Sequence, residues 1–262
     1  MEEFQIGKMH VPMALTSINL LWSSHDPSPD DAARTVIGRL PDVTQRLKGT
    51  LVPRIRVVPE RQATMDLAPH VTAPLKTDQW DLSRVRRGRF GVDGLNFLVG
   101  EGVVAVRRAH QTSSSLPPQV TIPVGGRFAR IVFLHTSAGT PRRARHAGDG
   151  TFFPHESSEL IGVYEVAFGD GLVLPVEIRA QENVRAWDAG LDGVLYHARN
   201  IEAGALPDGR PLLAWGLEWT NSRPDEPIAE IRLRGAGGAS DAHPILLGIT
   251  TIEKDRLSDY RR

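Results

Sequence analysis

From Gly162 to Ile178 the chain alternates in a period of two, interrupted once by Gly169-Asp170-Gly171. Tyr164, Val166 and Phe168 alternate with Val163, Glu165 and Ala167, and beyond the glycines Leu172, Leu174, Val176 and Ile178 resume the period. Such spacing puts one apolar set on one face of an extended strand, and glycine supplies the positive φ that a tight turn needs. The stretch predicts a β-hairpin, and the fold class is argued outward from it.

Strand-like segments recur along most of the chain. Phe90, Val92, Leu95, Phe97 and Val99 lead into Gly102-Val-Val-Ala-Val106, which reads as a second hairpin with Val103 to Val106 buried. Val120 to Val124 alternates and ends at Gly125-Gly126. The unbroken run Arg130-Ile-Val-Phe-Leu-His135 has the pattern of a central strand covered on both faces. Further strands are expected at 194–198, 212–219, 228–233 and 245–252, separated by turn residues. Pro69 and Pro74 mark edge strands and loops. Residues 136–158, rich in Gly, Arg and His, and the polar segment from His110 to Pro118 read as surface loops. This spacing predicts an all-β protein, an antiparallel sandwich or jelly roll, with no room for crossover helices.

Residues 1–50 differ. Ala14, Leu15, Ile18, Leu21 and Trp22 recur at helical spacing, and Ser28-Pro29-Asp30-Asp31 starts like a capped helix with acids in its first turn. Two short helices are expected there, with a β domain over 51–262. So small a helical segment is marginal alone and is expected to dock on another domain.

Composition narrows the partners. Lys+Arg and Asp+Glu are equal at 31 each, so no net field recruits nucleic acid or an anionic membrane. The absence of cysteine excludes disulfides, thiolate metal sites and a cysteine nucleophile. No apolar run approaches the ~20 residues of a membrane helix, and Met1-Glu-Glu-Phe-Gln-Ile6 has no signal-peptide pattern. As written, the chain is expected in the cytoplasm. As the tail of a longer exported protein it would be extracellular or periplasmic.

The strands also carry an ordered set of short motifs: Phe133-Leu-His-Thr-Ser137, Gly162-x-Tyr164-x-Val166 with Gly169-Asp-Gly171, Glu182-Asn-Val-x-x-Trp187-Asp188, Glu218-Trp219-x-Asn221-x-x-Pro224, and Pro244-Ile-Leu-Leu-Gly-Ile-Thr250. In this order they resemble the galactose-binding-like β-sandwich domains appended to bacterial glycoside hydrolases, over roughly residues 63 to 252. Asp66-Leu-Ala-Pro-His70, Trp80-Asp-Leu82 and Gly94-Leu-Asn-Phe97 are similar to the start of the same domain. Those domains commonly carry Asn-Pro-x-Pro after the tryptophan, whereas here Asn221 is followed by Ser222 and Arg223 before Pro224. The helical start is similar to the closing helices of a catalytic domain. The resemblance implies a non-catalytic carbohydrate-binding module beside an upstream glycosidase domain, with no cofactor beyond a structural calcium ion, for which Asp66 and Asp188 to Asp192 are the available carboxylates.

Weighed alone, the candidate chemistry favours binding. A sugar's apolar face stacks on an indole while Asn, Asp, Arg or His groups bond its hydroxyls. Asn183, Trp187 and Asp188 offer that combination, as do Trp219 and Asn221, with His135 and Arg142 as further donors. Each has a plainer reading: a tryptophan at a strand end closes the core, a histidine in a buried strand has its ring hydrogen-bonded, and the Arg142, Arg143, Arg145 and His146 patch is a solvated loop. Trp215 and Trp219, four apart on one strand, share a face. Asp149, Glu156, Glu159, Asp170, Asp188, Asp192 and Glu218 show no spacing that selects a catalytic pair. His135, His146 and His155 form no zinc-helix pattern, and there is no Gly-x-Ser-x-Gly elbow. The leading expectation is a carbohydrate-binding accessory module. The alternatives are a structural module packing on a glycosidase domain and a glycosidase in its own right.

Overall fold

The computed structural model describes residues 61–141, 158–189, 195, 197–206, 208–238 and 240–253. The helices and domain boundary expected within 1–60, and most of the expected loop over 136–158, lie outside those residues. The strands are β1 (Gln62–Thr64), β2 (Ala73–Pro74), β3 (Gly88–Val92), β4 (Leu95–Val99), β5 (Gly102–Ala105), β6 (Gln119–Gly126), β7 (Arg130–Ala138), β8 (Glu159–Phe168), β9 (Val173–Ala180), β10 (Arg199–Ala205), β11 (Pro211–Thr220), β12 (Ile228–Gly235) and β13 (His243–Ile252). A single 3-10 turn, Ala68–His70, is the helical element among the described residues. None of their helices is long and apolar enough to cross a membrane.

All pairs between these strands are antiparallel. The large sheet runs β10-β11-β7-β13-β5-β2, with β1 also on β13. The small sheet runs β6-β12-β8-β9, and β3 and β4 pair only with each other. The expected all-β sandwich is the observed fold. One core lies between the sheets, where the rings of Phe133 on β7 and Tyr164 on β8 stack at 3.9 Å with 7° between planes. Trp215 is buried in this core and Trp219 packs against it, so the two do share a face. A second core lies on the other side of the large sheet, where Val132, Leu134 and Leu247 meet Phe97, Trp80 and Leu82. With a core on each face, β7 has no polar side, which explains its unbroken apolar run.

The opening hairpin is β8–β9. Phe168 N–H donates to Leu172 O at 2.8 Å and Gly171 N–H to Phe168 O at 3.0 Å. Gly171 has φ +89, the left-handed position of a three-residue hairpin loop. The second hairpin differs from expectation. It closes within β3 and β4 around Asp93 (φ 50) and Gly94 (φ 78), while β5 leaves for the large sheet. Two consecutive positive φ values make the two-residue turn, so the chain reverses before β5 begins. The strand expected at 194–198 is corrected too: residues 197 and 198 form a bend, and the strand is β10. Only Ile201 and Ala203 of its residues are buried, so its apolar signal is weak.

Among the described residues, three of the four strands that end the main paths of the two larger sheets carry a proline, Pro74 in β2, Pro123 in β6 and Pro175 in β9. The fourth, β10, is covered by a bridge from Val85 to Gly204 and by Arg86 N–H on Ala203 O at 2.6 Å. A Cβ on residue 204 would collide with the Arg84 carbonyl, so glycine is required for that cover. The two ends of the sandwich meet on one ladder: Gln62 pairs with Ile252, and Glu253 N–H donates to Arg61 O at 3.0 Å.

Candidate functional site

The structure divides the sequence-derived candidates between the two ends of β7. At one end sit His135, Asn183, Trp187 and Asp188. His135 is fully buried, with Nε2 at 3.0 Å from Asn183 O and Nδ1 at 3.1 Å from the Tyr164 hydroxyl. A carbonyl only accepts, so Nε2 carries the hydrogen and Nδ1 accepts from Tyr164. Burial lowers the His135 pKa to about 4, opposed by its bond to Asn183, and pushes the Tyr164 hydroxyl well above its usual value. The pair is a neutral relay joining the two sheets to the segment after β9. Asn183 closes that segment: its Nδ2 donates to Glu177 O and its Oδ1 accepts from Arg179 N–H, each at 2.9 Å. Trp187 is half-buried against the second core, its backbone N–H bonded to Ser137 O at 2.9 Å, while Asp188 is exposed.

Trp219 and Asn221 lie at the other end. Register sets Trp219 opposite Ile131, and Asn221 N–H donates to Ala129 O at 2.8 Å. Seven residue steps separate Arg130 from Ser137, roughly 20 to 25 Å in a strand. No one ligand subsite spans that distance. The buried Asn221 side chain donates to Phe128 O and Arg223 O at 2.8 and 3.1 Å and accepts from Arg223 N–H at 2.8 Å. These bonds hold the turn before Pro224. Arg223, at the variable position between Asn221 and Pro224, lies 5.0 Å over the Phe168 ring and pairs with Asp170 at 2.7 Å. It clamps the β8–β9 turn and holds the Asp170 carboxyl below its usual range. His135, Asn183 and Asn221 thus direct their polar atoms into the fold. Arg142 lies outside the described residues.

Among the described residues the candidate carboxylates do not converge; Asp149, Glu156 and Asp192 lie outside them. Glu159 is bonded to the fully buried Arg108 at 2.9 Å, and Glu218 to Arg130 at 2.5 Å and Arg199 at 3.1 Å. Asp66 caps the 3-10 turn through Ala68 N–H at 2.9 Å. Among the described residues no group of three or more His, Asp or Glu side chains is placed to hold a metal ion; Asp192, one of the carboxylates available to the calcium site that the resemblance implies, lies outside them.

A set that does converge was missed in the sequence. A cleft of about 550 Å³ is lined by Gln62 and Thr64 of β1 and by Arg89, Phe90, Gly91 and Asn96 of the β3–β4 hairpin. The hairpin is held over β1 and β13. Gln62 donates through Nε2 to Gly94 O at 2.7 Å and accepts at Oε1 from Asn96 N–H at 3.0 Å, and the Thr250 hydroxyl donates to Asn96 O. At Gly248 a Cβ would stand 3.0 Å from Leu98 O, so glycine lets the hairpin approach β13. Phe90 is anchored on buried Phe97, centroids 5.8 Å apart, and stays half-buried. Arg89 is exposed. The buried Thr64 Oγ1 has no hydrogen-bond partner.

The missed signal was local. Phe90 counts as ordinary strand alternation, but residues 84–92 hold four arginines and no acid, which an amphipathic strand does not require. The chain matches no family model and no curated protein.

Proposed function

We propose that this chain is a β-sandwich accessory module that binds carbohydrate, associated with a glycoside hydrolase as its motif order implies, and that the cleft between β1 and the β3–β4 hairpin is its ligand site. One observation carries the reading: the cleft is lined by a half-buried aromatic residue, Phe90, by the exposed Arg89 and by the amide residues Gln62 and Asn96. That is the combination a sugar needs, a ring for its apolar face and polar groups for its hydroxyls. The separate ion pairs of Glu159 on β8, Asp170 in the β8–β9 turn and Glu218 on β11 favour binding over hydrolysis, which requires two carboxylates facing one bond.

Calorimetric titration of the chain with a panel of oligosaccharides tests the reading. At least one sugar is expected to bind, weakly, and Phe90→Ala to weaken it about tenfold, the loss of a stacking contact, with the melting curve still cooperative. Binding unaffected by Phe90→Ala, or binding to no sugar, would sink the proposal. Hydrolysis of any chromogenic glycoside in the same panel would replace it with an enzymatic reading.

A second reading, a module that packs on a glycosidase domain, rests on Leu172 and Val173. These are 42% and 36% exposed beside the β8–β9 turn, two of the three large apolar side chains exposed among the described residues. Co-expression with an upstream catalytic domain, with and without Leu172→Ser, separates it from sugar binding.

A further inference from the structure

We infer that the cleft selects an anionic sugar, one whose carboxylate or sulfate is received by Arg89; the inference rests on the carbohydrate reading above. Among the described residues, Arg89 is the one ionisable group in the cleft lining. An exposed cation with no acid beside it attracts an anion and gives a neutral sugar nothing equivalent. Nearby arginines are already paired, Arg86 with Glu202 at 3.3 Å and Arg87 with Glu101 at 2.6 Å. Arg89 makes no ion pair or hydrogen bond among the described residues, and Asp93, the acid of the hairpin, sits at its turn outside the lining.

The remaining lining fits a sugar ring held next to that charge. Phe90, which follows Arg89 on β3, also lines the cleft, with its ring resting on Phe97. A Cβ on residue 91 would stand 3.3 Å from Asn96 Oδ1, so Gly91 keeps the floor open. Thr64 forms part of the β1 wall, with its hydroxyl turned into the fold. Gln62, by contrast, is engaged in holding the hairpin and acts as a brace.

The test titrates the chain with oligogalacturonate, a sulfated galacto-oligosaccharide and the neutral galacto-oligosaccharide, at low and high salt. An acidic probe is expected to bind about tenfold tighter than the neutral one, as one charge-assisted contact allows. High salt and Arg89→Gln should each remove that preference, while Arg89→Lys retains part of it. Oligogalacturonate favoured over the sulfated probe would assign the carboxylate form, and the reverse order the sulfate form. Equal affinity for acidic and neutral probes, or an unchanged preference in Arg89→Gln, would overturn the inference and leave sugar binding standing. Binding of none of the three would remove both. Tighter binding of a single-stranded oligonucleotide than of either acidic probe would also overturn it, as a general polyanion site. Because Arg89 is exposed and unpaired, its variants should melt as the parent does, so a change in binding is not a change in folding.

Discussion

The β8–β9 and β3–β4 hairpins share a sequence signature, apolar alternation interrupted by a glycine turn, yet they do opposite things. β8 is flanked by β12 and β9 and presents Tyr164 to the inter-sheet core. The β3–β4 ribbon belongs to neither sheet; one face covers the second core through Phe97, and its rim is open around Phe90 and Arg89. Alternation specifies that a hairpin forms, and what flanks it decides whether it becomes scaffold or binding surface. A residue's worth to stability should therefore fall, and its worth to ligand binding rise, on passing from the first hairpin to the second.

The sharpest way to break this contrast is Tyr164→Ala. It removes the ring stacked on Phe133 and the donor to His135, and should cost about 4 kcal/mol in urea denaturation. If Phe90→Ala costs as much, the two hairpins are not different in kind.

Next comes acid. His135 has its pKa lowered to about 4 in the fold by burial, against about 6.5 when unfolded. Between those values the unfolded chain binds a proton that the folded chain does not, so stability is complete above pH 6.5 and is lost as pH falls to 4. The loss should total about 3 kcal/mol. His243, also lowered by burial, acts in the same direction. Denaturation curves across this window should show the slope, and His135→Asn should flatten it. A flat profile in the parent would mean that His135 is not held neutral in the core.

A smaller effect is expected at Asn221→Ala, which strips partners from the Phe128 and Arg223 carbonyls and should cost about 1 to 3 kcal/mol without changing sugar affinity. Loss of binding there would return the site to the Trp219 region. Smallest in stability is Arg89→Gln, within about 0.5 kcal/mol of the parent as for other exposed positions, although it should change ligand preference most.

Most of the fold was legible because strand period and turn residues are local signals. Tyr164 to Ile178, 130–135, 212–219 and 245–252 each carry theirs in full. β10 was displaced because Arg199-Asn-Ile-Glu-Ala-Gly-Ala205 is nearly polar and takes its place by pairing with β11. The site was much less legible. Asn183, Asn221 and His135 are the residue types that bind sugars and also the types that cap turns and bridge sheets, and only their partners distinguish the roles. The cleft residues are distant in sequence: Gln62 meets Asn96 because β1 pairs beside β13 and the hairpin lies across them, a contact that no local pattern encodes.

The β1–β13 ladder has one more consequence. Because Gln62 faces Ile252 and Thr64 faces Thr250, the flanking chain leaves the sandwich from a single point. A force applied through the two ends would load the outermost hydrogen bonds in turn, as a zipper is opened, and would not shear the whole ladder at once. β1 is three residues long, so little resists its peeling, and it forms one wall of the cleft. Tension along the polypeptide would therefore dismantle the proposed ligand site first and leave the Tyr164 core for last, which single-molecule pulling would register as a small early step before the main rupture.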